Sequence, residues 1–270
     1  MSGQHRSKQR PRRPHAVVIA IAALGALLFV LPLVALLWRA PWSQFGHELR
    51  DDSALTALRL SLQCSLSALV LCIVLGTPLA LVLARTEFPG KRLLRALLSL
   101  PMVLPPVVGG VALLLAFGRR GLVGQWLYDW FGMRLAFTTT GVVLAETFVA
   151  MPFYVVTLEA ALASVDRRFE EAAATMGAKP FTVFRTVTLP AIRPSLIAGC
   201  ALSWARALGE FGATITFAAN VEGVTQTIPL KVYLALETNP DGAVVLSIVL
   251  LAVSIAVLAA LQDRWLGARR

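Results

Sequence analysis

The chain has 270 residues, 57% of them hydrophobic and 15% charged, with a mean hydropathy of +0.72. A water-soluble domain of this length needs more polar surface, and the short alternating segments of a transmembrane barrel do not occur. The formal net charge of +10 does not point to nucleic acid: in so apolar a chain, Lys and Arg mark cytoplasmic loops and contacts with anionic membrane lipids.

A basic leader, MSGQHRSKQRPRRPH (1–15), opens the chain. Apolar runs of about 20 residues, each enough to cross a bilayer as a helix, then predict an all-α polytopic membrane protein of six transmembrane helices. They lie at about 16–38, 55–84, 97–117, 138–163, 191–218 and 243–262, and a tail, 263–270, follows. A cleaved signal peptide is the competing reading of the first run. The run is too long for that, and no small-residue cleavage site follows it; the pair Arg12 and Arg13 does not make a twin-arginine signal. With the N-terminus inside, 17 Lys and Arg fall on the inner side, 6 on the outer, and Arg59 and Arg206 within spans. That bias predicts a cytoplasmic-membrane protein with both termini in the cytoplasm.

Between the third and fourth spans, Trp126, Tyr128, Trp130 and Phe131 predict a partly helical segment lying at the outer headgroups. Arg59, near the outer end of its span, is expected to snorkel, and Glu159, near an inner end, to face the headgroups. Cys64, Cys72 and Cys200 sit in apolar segments and read as small buried hydrophobes. His5, His15 and His47 lie outside the spans. Neither set has metal-ligand spacing, so no metal site is expected.

The longest inner polar stretch, 164–193, reads SVDRRFEEAAATMGAKPFTVFRTVTLPAIR. Asp166 can cap a helix, and Glu170 and Glu171 in the first turns suit the positive end of its macrodipole. Ala172, Ala173 and Ala174 favour its interior. Gly177, followed by Ala178, fits its C-terminus. Pro180 opens a second short helix, and Pro190 is expected to end it. The result is a helix–turn–helix elbow at about 166–190, built to pass force from a partner.

Here the chain resembles a known family. Glu171-Ala172-Ala173, three residues, Gly177, nine residues, then Val187-Thr188-Leu189-Pro190 is similar to the EAA loop of ABC importer permeases, with Val187 where isoleucine is usual. The resemblance implies the type I ABC importer permease fold, and a loop that docks into a groove of a cytoplasmic ABC ATPase. The segments Leu100–Gly110 (LPMVLPPVVGG) and Ala205–Phe217 (ARALGEFGATITF) look like those of the molybdate subfamily. Sulfate permeases share the Gly-Glu-Phe-Gly core but differ after it. The resemblance implies a homodimer, a periplasmic or lipid-anchored molybdate-binding protein, and ATP-Mg bound by the ATPase, with no cofactor on this chain. The chain lacks a G-x-x-x-x-G-K-[ST] phosphate loop, so it is not expected to hydrolyse ATP itself.

Candidate pathway residues follow from the spans. Pro105 and Pro106 remove backbone donors, and Gly109 permits close helix approach; a bend along a pathway and a kinked packing helix both fit. Ionisable residues inside spans are costly and mark candidate sites. Glu146, Arg206 and Glu210 are these. Arg206 and Glu210, four apart, share a helix face, with Phe211, Gly212, Thr214 and Thr216 beside them. Such a cluster either eases an anion through without trapping it or fixes helix packing near an outer gate. Sulfate or tungstate as cargo, and an ATP-independent secondary anion transporter, are the alternatives to molybdate import by an ABC complex.

Overall fold

Uninterrupted apolar sequence sets the frame. The computed structural model describes residues 16–267, and every regular element among them is helical; the basic leader lies outside the described residues. Helix α1 (Ala16–Trp38) coincides with the first expected span and buries none of its residues. A helix that is apolar all round belongs in hydrocarbon. After the short α2 (Phe45–Leu49), α3 (Asp52–Arg85) begins where the Asp51 carboxylate accepts from Ala54 N at 3.3 Å. Its 34 residues, at about 1.5 Å each, exceed the roughly 30 Å of a hydrocarbon core, so α3 continues past the bilayer to Arg85.

The third expected span is not one helix. It divides into α4 (Lys91–Val103) and α5 (Pro106–Phe117). Leu104 is extended, with ψ 139°, because a residue before proline is driven out of the helical region. The expected bend at Pro105 and Pro106 is therefore a break. Helix α6 (Gly124–Phe131) follows, with Trp126 and Trp130 packed edge-on at 5.6 Å and the Arg119 guanidinium 4.3 Å from the Tyr128 ring centroid. This is the short helix expected for the aromatic segment. Helix α7 (Thr139–Ser164) starts at Thr138, whose hydroxyl accepts from Gly141 N at 3.1 Å.

The next segment folds as α8 (Arg167–Thr175), α9 (Pro180–Val183), a π turn (Phe184–Thr188) and α10 (Leu189–Leu208). The fifth expected span is also broken: Gly209–Phe211 separates α10 from α11 (Gly212–Ala218). Helix α12 (Ile228–Thr238) lies in a stretch where no helix was expected, and it buries Ile228 and Leu230 completely. Helix α13 (Pro240–Gly267) is longer than the sixth expected span and takes in the first part of the tail. Among the described residues, α1, α3, α7 and residues 240–257 of α13 are long and apolar enough to cross a membrane.

The core is the packing of α3, α7 and α10. Tyr154 is fully buried there, its hydroxyl 2.7 Å from Thr77 Oγ1. Ser203 Oγ donates to the Ala150 carbonyl at 3.0 Å, and Trp204 Nε1 donates to Ser65 Oγ at 3.0 Å. In a bilayer such polar pairs fasten helices that the hydrophobic effect cannot press together. Arg95 pairs with Glu159 and ties α4 to α7. Glu159 thus has a partner inside the fold, its side chain 13% exposed.

Half-helices α5 and α11 pack against each other and on α7. The approach is close at Gly110: a Cβ there would lie 2.6 Å from Thr216 Cβ and 2.8 Å from the Ala213 carbonyl oxygen. Gly110→Val is therefore expected to destabilise the fold by about 1–3 kcal/mol through overpacking. Gly25→Val on α1, with nothing within 4 Å, is not. Thermal unfolding of the detergent-solubilised variants, followed by tryptophan fluorescence, checks this; equal midpoints would contradict it.

Candidate functional site

Two groups of predicted residues occupy opposite parts of the molecule: the elbow and the breaks in the spans. The elbow is built as its sequence dictates. The Asp166 side chain accepts from Arg168 N at 3.0 Å and caps α8. At the other end Gly177 has φ +86°, in the left-handed region where a side chain is strained. Gly177 N donates to the Ala174 carbonyl at 2.9 Å and Ala178 N to the Ala173 carbonyl at 3.1 Å. That pair of bonds is a Schellman closure, which explains both residues of the Gly-Ala step. Pro180 starts α9, where a missing N–H costs nothing.

Pro190 does not end the second helix. It lies in the first turn of α10, and the chain runs from α9 through the π turn into α10 without leaving helical geometry. The wider π register, with Leu189 N donating to the Phe184 carbonyl, absorbs the proline where an α-helical ladder would be blocked.

The acidic pair faces two ways. Glu171 is exposed and, among the described residues, forms no ion pair. The Glu170 carboxylate turns inward: its Oε1 accepts from Arg85 Nη2 at 2.7 Å and from Thr188 Oγ1 at 2.6 Å. The sequence reading did not single out Arg85 or Thr188. Their separation from Glu170 along the chain hides the contact. Phe169, Met176 and Phe181 stand exposed on the elbow.

At the other group, the two breaks meet. A Cβ on Gly212 would lie 2.7 Å from Pro106 Cβ, so the start of α11 sits against the start of α5. Pro105 and Pro106 are exposed, whereas Gly109, Gly212 and Thr214 are buried. Arg206 and Glu210 are paired as expected, Nη1 to Oε2 at 2.7 Å, with Glu210 1% exposed and Arg206 28%. Glu210 Oε1 also accepts from Ala213 N at 2.8 Å, so the carboxylate caps the new helix start created by the break. Phe211 packs on Tyr233 of α12, centroids 5.1 Å apart. Glu146 is buried to the same extent as Glu210 but is not drawn into the ion pair; its Oε2 and Thr214 Oγ1 have no partner among the described residues. Thr216 instead donates to its own helix, to the Gly212 carbonyl at 2.9 Å, and stands apart from the charged pair.

Residues 76–270 match the family model described as the binding-protein-dependent transport system inner membrane component. The chain belongs to that family. The molybdenum transport system permease protein of Mycobacterium tuberculosis is 48% identical over 240 residues, 88% of this chain and 90% of that protein. The sulfate transport system permease protein of Salmonella typhimurium is 36% identical over 236 residues, 86% and 85% of the two. Among solved structures, a bacterial ABC transporter that imports the acidic polysaccharide alginate superposes with a TM-score of 0.74 at 17% identity, covering 92% of this chain and 93% of that one. The fold is therefore that of ABC importer permeases.

The capped ion pair gives a direct test. Arg206→Met strands the buried Glu210 charge, which is expected to cost about 3–5 kcal/mol. Adding Glu210→Gln, which keeps an acceptor for Ala213 N, should recover most of the loss. Thermal unfolding of the two variants measures this; losses that simply add would show that the pair is not coupled.

Proposed function

We propose that this chain is the membrane-spanning subunit of an ABC importer that carries molybdate across the cytoplasmic membrane. The observation that carries the cargo is the difference in likeness: 48% identity to a molybdenum permease against 36% to a sulfate permease, over nearly the same span of the chain. The Gly209–Phe217 segment supports it, since the sulfate branch shares the Gly-Glu-Phe-Gly core and departs beyond it.

The rest of the reading follows from geometry and charge. The elbow carries the exposed Glu171, Phe169, Met176 and Phe181 and would dock on a separate ABC ATPase, which binds ATP-Mg. The excess of Lys and Arg on the elbow's side supports placing it, and both termini, in the cytoplasm. Counting each broken helix as one crossing gives six spans. So few helices enclose no pathway alone; Val107, Val108, Val111 and Leu115 leave α5 exposed beside the breaks, and this face suits a two-fold interface with a second copy. A periplasmic or lipid-anchored binding protein would deliver the oxyanion to the outer side. ATP binding would favour one of two states of the complex and hydrolysis the other, which is what alternating access requires.

At the breaks the protein supplies its own anion. Glu210 occupies the start of α11 and Arg206 neutralises it, so this pair leaves no net positive charge to trap a passing dianion, in keeping with the need to release cargo.

Proteoliposomes holding this chain with its ATPase and binding protein test the proposal. ATP-dependent uptake of labelled molybdate that persists under excess sulfate is expected. Uptake abolished by sulfate would move the cargo to sulfate, and uptake without ATP would overturn the ABC reading. Glu171→Arg, which reverses the free charge of the docking face, should abolish ATP-driven uptake while the chain still inserts.

A further inference from the structure

Glu170 stands where three elements meet. Arg85 is the last residue of α3, and Thr188 is the last of the π turn that leads into α10. Both donate to the same oxygen of the α8 carboxylate, at 2.7 and 2.6 Å. The Arg85 and Glu170 side chains are only 20% and 21% exposed, and Thr188 is 4% exposed. Charge-assisted bonds in such sheltered surroundings hold a fixed length better than exposed ones.

Apolar packing is thin around this node. An open hollow of about 400 Å³ lies between α3 and the elbow, lined by Leu81, Ala174 and Val183 together with Arg85, Glu170 and, at its rim, the exposed Glu171. Helix α8 packs on α9 and the π turn, the π turn runs on into α10, and α3 packs on α7 and α10. The Arg85–Glu170 pair joins α8 to the end of α3 across the hollow. An elbow without such a bridge would yield into the cavity when pushed, and part of the displacement would be lost before reaching the membrane.

We infer that Arg85, Glu170 and Thr188 form a strut that makes the elbow move as one body with α3 and α10. The two adjacent acids then divide the work. Glu171 faces the partner, and Glu170 faces the chain's own membrane helices. All three strut residues are positioning residues, acting through the elbow and not on the cargo. The inference rests on the reading of the elbow as the ATPase-docking element.

The test uses the full complex in proteoliposomes and reads ATP consumed per molybdate moved, with co-purification of the ATPase as a check on assembly. Arg85→Ala and Glu170→Gln are each expected to raise that cost about fivefold, within the range over which single residues modulate coupling. The charge swap Arg85→Glu with Glu170→Arg should bring it back most of the way. Thr188→Val, which deletes one hydroxyl and spares the ion pair, should raise it less, and it serves if Arg85→Ala fails to accumulate. An unchanged cost in the single variants, or a swap no better than either, overturns the strut. Glu171→Arg separates the two claims. If it leaves uptake intact, the elbow reading itself fails. If it stops uptake while the strut variants transport at the normal cost, only the strut falls.

Discussion

The architecture depends on one constraint: at bilayer depth every backbone N–H and C=O must find a partner inside the protein. The chain breaks helices in two places within its apolar regions, at Leu104–Pro105 and at Gly209–Phe211, and each break frees such groups. The solution is to set the breaks against each other. Pro106 meets Gly212, α5 meets α11, and Glu210 accepts from the otherwise unpaired helix-start amide of Ala213. Prolines at the start of α5 remove donors that would otherwise need partners. Arg206 then balances the carboxylate that the cap introduces. An arrangement that looks like a charged site in sequence is, in three dimensions, the means by which a discontinuous helix is stabilised.

Much of this was legible in the sequence, where local rules act alone. The first, second and fourth spans matched α1, α3 and α7 because long apolar runs leave little choice. The elbow followed from Asp166, Gly177 and Pro180, each of which fixes its own backbone geometry. The failures lie where partners distant in sequence decide. Two spans read as continuous in sequence because hydropathy does not register an interruption of two or three residues. Pro190 was expected to stop a helix, but the π turn before it relieves the clash. Helix α12 is not evident in the sequence because Ile228 meets Ala54 and Ala57 of α3 and Leu246 of α13 only after folding, and the stretch before it is rich in turn formers. Glu170 was grouped with Glu171, since nothing local tells which of two neighbouring acids turns inward; Arg85, far away in the chain, decides it.

Exposure completes the functional argument. Helix α1 is bare on all sides, α5 is bare beside the breaks, and the elbow carries bare aromatic and methionine side chains. The first suits lipid. The elbow's exposed Phe169, Met176 and Phe181 lie outside the long apolar spans, where a bare apolar patch marks an interaction surface. The proposed pairing with a second copy and docking of an ATPase would use the α5 face and the elbow respectively. The core of α3, α7 and α10 is fastened by polar pairs at Thr77–Tyr154, Ser203–Ala150 and Trp204–Ser65.

The central claim is that ATP on a partner moves the two elbows of a paired complex. Met176, 83% exposed on the elbow, offers the place to watch it, in a chain whose Cys64, Cys72 and Cys200 have been replaced. A spin label at Met176→Cys, in the complex with its ATPase, should report one defined distance between the two copies that shortens when a non-hydrolysable ATP analogue binds. A complex with no such distance, or one whose distance ignores the nucleotide, would contradict the account.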